Sequence, residues 1–287
     1  MSKVWLVTGS GRGLGRDIVK AALAAGDRVV ATARNPQQLA DLSEQHGEQI
    51  RAVALDVTDA VAAQAAVKVA LDAFGRLDVL VNNAGFGHLV PFEQVEMEDF
   101  RSQIDTNFYG VVNLTRAALP GMRKQKSGHI IHVSSVGGRV GTPGLSAYQA
   151  AKWAVGGFTE VLSKEVSHLG IKVTALEPGG MRTGWGAEAR RDIPNMLADY
   201  EPSVGATLQL LRHYVGQEAG DPAKVAAVVV KLANHDNPPV HLLLGSDALH
   251  YWGQTESARA AAEQRWRAVS LSTDYSAPAD LPEFPQS

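Results

Sequence analysis

Short apolar runs recur along the chain between longer segments of helical period, and this order constrains the fold more than any single motif. The runs are Val4–Val7, Arg28–Thr32, Arg51–Leu55, Val79–Val81, His129–Val133, Lys172–Leu176 and His241–Leu244. Most are continuous rather than alternating, the pattern of strands covered on both faces in a parallel sheet. Between them lie segments rich in Ala, Leu, Gln, Lys and Glu, such as Arg16–Ala25, Pro36–His46, Ala60–Phe74 and Ala147–His168. Parallel neighbours need crossover connections, and these are right-handed. The order therefore predicts an α/β fold: a single doubly wound Rossmann-type domain with a parallel seven-stranded sheet between helix layers.

Two stretches break the rhythm. Gly179–Gly220 is a long mixed segment containing Trp185, Met196, Leu197 and Tyr214, the size of a lid or binding element. Leu271–Ser287 carries three prolines, three acids and no Lys or Arg, and is expected to be extended. The expected organisation is residues 1–253 as the Rossmann-type domain, with 179–220 as its substrate loop, then 254–287 as a C-terminal helix and Pro-rich acidic tail.

Composition removes other classes of answer. With 287 residues, 45% hydrophobic and 20% charged, the chain is globular and long enough for a sizeable core. It has no cysteine, so disulfides, thiolate metal sites and cysteine nucleophiles are excluded, and a cytoplasmic setting is the default. A formal charge of −3 gives no electrostatic footprint for nucleic acid. No apolar run approaches the roughly 20 residues of a membrane span, and the N-terminus does not read as a signal peptide. His129 and His132, three apart on an expected strand, point to opposite faces, so no metal site is expected there. The 28 glycines exceed the usual ~7%, and their positions matter.

Thr8-Gly9-Ser10-Gly11-Arg12-Gly13-Leu14-Gly15 lies between the first strand and a helix. Glycines there permit a sharp turn and close backbone approach to a pyrophosphate, whose charge sits at the helix N-terminus. The spacing differs from the common Gly-x-Gly-x-x-Gly fingerprint. Further along come Asp56-Val57, Asn82-Asn83-Ala84-Gly85, Asn107, Ser134-Ser135, Tyr148-Gln149-Ala150-Ala151-Lys152 and Pro178-Gly179 with Thr183. All fall at C-terminal strand ends or on the following helices, where a doubly wound sheet places its ligand crevice. In this order, over roughly residues 3 to 245, these motifs resemble the short-chain dehydrogenases/reductases. The run Glu177-Pro178-Gly179-Gly180-Met181-Arg182-Thr183 looks like the branch that includes 17β-hydroxysteroid and retinol dehydrogenases.

Tyr148 and Lys152, four apart, share one helix face, and an ammonium beside a phenol lowers its pKa from ~10, making Tyr148 a usable general acid/base. The resemblance implies the other roles. Ser135 holds the substrate oxygen, Lys152 also binds the nicotinamide ribose, and Asn107 supports a water-linked proton path. It also implies cofactor contacts from Gly9, Arg12, Gly13, Leu14, Gly15, Arg34, Asp56, Val57, Asn83, Ala84, Gly85, Tyr148, Lys152, Pro178, Gly179 and Thr183. The family often has a small hydroxyl residue before the lysine; here it is Ala151, which handles no proton. The second strand ends Ala31-Thr32-Ala33-Arg34 with no acid, and with Arg12 in the glycine loop this favours the 2′-phosphate of NADP(H), NAD(H) remaining possible.

Beyond Ser135 and Tyr148, the expected substrate wall includes Phe86, Leu89, Val140, Leu145, Met181, Trp185, Met196 and Leu197, a lining suited to a hydrophobic ketone or secondary alcohol. The family is usually dimeric or tetrameric, so a homodimer or homotetramer is expected. The alternatives are a catalytically silent NADP(H)-binding sensor of the same fold, and a sugar-nucleotide epimerase, which requires a different glycine spacing.

Overall fold

The computed structural model describes residues 2–184, 186, 193, 195–214, 216–278 and 280–285. Seven strands, β1 (Val4–Val7), β2 (Arg28–Ala33), β3 (Ile50–Ala54), β4 (Val79–Asn82), β5 (Gly128–Val133), β6 (Ile171–Pro178) and β7 (His241–Leu244), form one sheet in the order β3-β2-β1-β4-β5-β6-β7. Every neighbouring pair is parallel. The strand order reverses between β1 and β4, which opens a crevice at their C-terminal ends.

The period-two geometry of the strands divides their apolar side chains between two helix layers. Trp5, Val7, Val29, Ala31, Val79, Val81, Ile131 and Leu176 face α1 (Gly13–Ala24), α2 (Ala40–His46) and a helix over Pro222–Ala233. Their neighbours Val4, Leu6, Val30, Leu80, Ile130 and Val173 face α3 (Ala60–Phe74), α5 (Gly110–Gln125) and α6 (Ser146–Val166). Short polar signals start the helices. Asp59 accepts hydrogen bonds from the Val61 and Ala62 N–H groups at the head of α3, and Asp221 does the same for Ala223 and Lys224.

The remaining α-helices among the described residues include α4 (Met97–Ile104), α7 (Ala206–His213), α8 (Pro222–Ala233) and α9 (Ser246–Leu271). The expected helix Pro36–His46 is two pieces, a 3-10 turn over Pro36–Leu39 and then α2, because Asn35 caps the Gln37 N–H and Pro36 opens the turn. α1 begins at Gly13, three residues before the expected start. α9 runs without a break through the expected boundary at residue 253, and its Trp266 meets Phe284 edge-on with ring centroids 5.5 Å apart, so the tail returns onto the helix. No described helix is long and apolar enough to cross a membrane.

His129 and His132 are both buried on β5 and serve packing. His129 Nε2 lies 3.0 Å from Thr174 Oγ1, and His132 Nδ1 lies 2.8 Å from Thr159 Oγ1. Among the described residues there is no group of side chains that could hold a metal ion. Burial pushes both imidazoles down to about 3. An unfolded histidine takes up its proton near 6.5, so below that pH the unfolded chain binds protons that the native one refuses, and stability falls as pH drops towards 3. Urea unfolding between pH 7 and 4 should lose up to about 1.4 kcal/mol per pH unit for each histidine. His132→Gln should flatten the slope; an unchanged slope would count against this account.

Candidate active site

The glycine loop is fastened to the end of β4 by polar groups from the two strands that flank the crevice. Thr8 Oγ1 accepts from the Asn83 and Ala84 N–H groups at 2.9 and 3.0 Å. The Asn83 side-chain amide donates back to the Thr8 and Gly9 carbonyls at 2.9 and 3.2 Å. A Cβ at Gly15 would run into the Gly9 carbonyl and the Asn83 amide, so the loop closes only with glycine at that position. α1 follows directly. No side chain caps its N-terminus and no acid lies in its first turn, which leaves a positive helix end suited to a phosphate.

Other residues named from sequence gather around this loop. Thr183 lies against Gly13, with its Cβ 3.7 Å from where a Gly13 Cβ would be. Arg34 is exposed at the end of β2 and helps hold the Asp56 carboxyl below its usual range, after the larger effect of the Thr58 N–H and hydroxyl donating to it. Arg12 is exposed and extends towards Gly184. The side chain of Gln38 covers Gly11, a neighbour that no sequence motif marked. Val57 packs on Gly110 of α5.

Ser135, Tyr148, Lys152 and Asn107 converge behind the loop. Ser135 closes β5; its Oγ accepts from the Gly137 N–H at 3.0 Å and is hydrogen-bonded to Tyr148. Asn107 sits in a π-helical turn, Asp105–Tyr109, between α4 and α5; such turns often mark functional positions. Its Nδ2 donates to the Phe86 and Gln103 carbonyls at 2.7 and 2.8 Å, while Oδ1 is buried with no hydrogen-bond partner. A Cβ at Gly85 would lie 2.5 Å from that oxygen and 3.6 Å from Lys152 Nζ, so both groups flank Gly85. A buried acceptor left open beside an ammonium fits a polar ligand or water in the crevice.

The electrostatics differ from the expectation that Lys152 depresses the Tyr148 pKa. Lys152 Nζ donates to the Val133 carbonyl at 2.8 Å and lies 5.6 Å from the Tyr148 ring centroid. Burial pushes Tyr148 up to about 12, opposed only by the Ser135 hydrogen bond. Burial also lowers Lys152 to about 8. Tyr148 therefore holds its proton at neutral pH, while Lys152 stays mostly protonated below its pKa of about 8.

The apolar wall is partly as expected. Leu89 and Leu145 form a cluster with Val204 and Leu208, flanked by Ile193, Met196, Tyr200 and Leu211. Met181 is placed elsewhere: it pairs with Gly220 at the root of the loop and packs against the main core. Leu197 is exposed, and Trp185 lies outside the described residues. Val204 and Leu208 escaped sequence reasoning, although their four-residue spacing is helical. The rim of the loop is fastened across the mouth. Gln94 Nε2 donates to the Asn195 carbonyl at 2.9 Å, Gln94 Oε1 accepts from the Leu197 N–H at 3.0 Å, and Tyr200 donates to Glu93 at 2.7 Å.

This combination of crevice, loop and side-chain cluster is that of a nucleotide-dependent oxidoreductase, and residues 3–194 match the family model of the short chain dehydrogenases. The chain belongs to that family. It is 48% identical over 274 residues to Oxidoreductase BOA17 of Botryotinia fuckeliana, a match covering 95% of this chain and 100% of that protein. A short-chain dehydrogenase from Streptomyces avermitilis has the same fold, with a TM-score of 0.89 and 38% identity over 96% of this chain and 100% of that one. The fold is also similar to that of 3-ketoacyl-(acyl-carrier-protein) reductase from Brucella melitensis complexed with NADH, at a TM-score of 0.74 and 28% identity over 86% of this chain and 98% of that one. A metagenomic short-chain oxidoreductase in complex with NADP matches at a TM-score of 0.68 and 28% identity over 85% of this chain and 97% of that one.

The buried lysine gives a test of the site that needs no substrate. Lys152 titrates near 8 in the fold and near 10.5 when unfolded. Between those values the unfolded chain holds more protons, so the folded state gains stability as pH rises. Wild type should gain on Lys152→Met by at most about 1.4 kcal/mol per pH unit between pH 8 and 10, read by thermal unfolding. A difference that does not vary with pH would contradict the buried, low-pKa lysine.

Proposed function

We propose that the protein is an NADP(H)-dependent oxidoreductase that transfers a hydride between nicotinamide and a hydrophobic ketone or secondary alcohol, with Tyr148 as general acid/base. The observation that carries this reading is the buried cluster in which Tyr148 is hydrogen-bonded to Ser135 while Lys152 and the unpartnered Asn107 oxygen flank Gly85. The glycine loop and the open end of α1 would hold the pyrophosphate. Ala84, Gly85, Pro178, Gly179 and Thr183 would frame the nicotinamide half, with Asp56 and Val57 near the adenine. When bound, the dinucleotide supplies or accepts the hydride.

The chain's own groups handle the oxygen and its proton. Ser135 Oγ donates a hydrogen bond to the substrate oxygen. Tyr148, with a pKa pushed up to about 12, keeps its proton across the neutral range, the state required to protonate an alkoxide formed in reduction. The oxygen takes the phenolic proton, and the phenolate left behind is stabilised by Ser135 and by a charged Lys152. Asn107 Oδ1, open to a water, lies on the route by which the proton is restored.

The exposed Arg34 with no acid at the end of β2 supports a 2′-phosphate. The cluster of Leu89, Leu145, Val204 and Leu208 supports an apolar substrate, in keeping with the hydroxysteroid and retinol dehydrogenase branch. Exposed Trp153 and Val161 on α6, with Tyr109 at the head of α5, suit the homodimer or homotetramer usual in the family. The 1–253 unit would hold this site, with the tail after α9 outside it.

Tyr148→Phe should lower kcat by about 100-fold or more against any ketone that the wild type reduces while NADPH still binds, the size expected for loss of a general acid. Full activity in the variant would defeat the mechanism; wild-type NADPH binding with no turnover across ketones, aldehydes, steroids and quinones would favour the silent sensor. NADPH should bind more tightly than NADH, and Arg34→Asp should reverse that order in a fluorescence titration. Equal wild-type affinities would rule out the assigned preference.

A further inference from the structure

α9 starts where β7 ends, and its first turn faces the turn that follows β6. Asp247 Oδ2 accepts from the Gly180 N–H at 2.7 Å, and its Oδ1 is buried with no hydrogen-bond partner. A Cβ at Gly179 would run into both oxygens of this carboxylate. Gly179 does not have a positive φ, so its backbone does not itself demand glycine. The volume that it leaves empty is filled by Asp247. Gly245, at φ 108, also leaves room, because a Cβ there would come within 2.6 Å of Asp247 Oδ1.

We propose that Asp247 is a positioning residue that sets the Pro178–Gly179–Gly180 turn against the nicotinamide half of the cofactor and anchors the root of the substrate loop. The inference rests on reading the crevice as a nicotinamide dinucleotide site. Gly180 is the point at which both tasks meet. Its carbonyl accepts from the Gly220 N–H at 2.9 Å, and the Gly220 carbonyl accepts from the Arg182 N–H at 3.2 Å, which closes the base of the loop. The carboxylate can hold this turn because the positive end of α9 favours its charge. α9 is itself braced. Arg259 Nη2 donates to the Arg139 carbonyl at 2.9 Å, and the Arg259 guanidinium lies 4.8 Å from the Trp153 ring. Arg139 pairs with Glu177 at 2.6 Å and lies 4.8 Å from the Trp252 ring. One helix thereby fixes the turn after β6 and touches the segment that follows Ser135.

The test uses the full chain and two readouts. Amide hydrogen exchange over residues 178–184, measured without nucleotide, should speed up in Asp247→Ala and stay near wild type in Asp247→Asn, which keeps an acceptor for Gly180. NADPH affinity should weaken about tenfold in Asp247→Ala, and about as much in Gly179→Ala, where the new methyl expels the carboxylate. The double variant Gly179→Ala/Asp247→Ala should bind NADPH better than Gly179→Ala alone, because the methyl then occupies the vacated space. Unchanged exchange in Asp247→Ala, unchanged affinity in that variant, or strictly additive losses in the double variant would each overturn the proposal. Failure of the wild type to bind NADPH or NADH would instead overturn the cofactor reading, and the exchange measurement would still decide whether Asp247 holds the turn.

Discussion

The site depends on how closely the glycine loop can lie against the end of β4. β1 and β4 pair directly, and beyond their last paired residues one hydroxyl and one amide tie the two segments together. Thr8 takes two backbone N–H groups from the far side, and Asn83 returns two bonds to the loop carbonyls. This exchange works only because Gly15 brings no side chain into the gap. With the loop pressed flat, α1 starts immediately and presents its open N-terminal end to the crevice. The Asn83 side-chain amide thereby bonds the protein's own backbone and shapes the loop.

The polar interior behind the crevice follows the rule that a buried group needs a partner. Lys152 rests on the Val133 carbonyl, His132 reaches Thr115 and Thr159, and Glu177 meets Arg139 and His241. His129 Nδ1, Asn107 Oδ1 and Asp247 Oδ1 are among the buried atoms that depart from the rule, and the latter two belong to residues set against the turns after β4 and β6. The open acceptors at those two turns fit a polar occupant of the crevice. The same burial keeps Tyr148 protonated and lowers Lys152.

The sheet was legible because its strands are buried on both faces. β1 and β7 have the expected bounds, and the other five differ by one or two residues at one or both ends. The convergence of Ser135, Tyr148 and Lys152 was legible because they sit at a strand end or one helical turn apart. Local spacing does not encode relations closed only by the fold. Tyr148 and Lys152 share a face as expected, yet the lysine turns to a β5 carbonyl, which the four-residue spacing cannot reveal. Met181 reads as pocket wall by composition, but its pairing with Gly220 draws it to the loop root. Asp247 lies 67 residues from the Gly180 that it holds, and nothing in its neighbourhood except Gly245 marks it.

The described residues of the 179–220 segment are fastened at both root and rim, and the two attachments differ in kind. At the root, Gly180, Gly220 and Asp247 join backbone to backbone and to a carboxylate. At the rim, Gln94 and Glu93 hold residues 195–200 by three side-chain hydrogen bonds on an exposed edge. Such bonds contribute about 0.5–1.5 kcal/mol each, somewhat more to a carboxylate, since water replaces them when the rim lifts. Beneath the rim, Leu89, Leu145, Val204 and Leu208 are buried together, and uncovering an aliphatic side chain costs roughly 1.5–3 kcal/mol. The apolar patch, rather than the rim, therefore keeps the cover down. A substrate with its own apolar surface can replace those contacts as it enters and leave the cover shut behind it. On the proposed reading, an ionic substrate would break the same contacts and return nothing for them, so closure would favour hydrophobicity before Ser135 or Tyr148 meets the substrate.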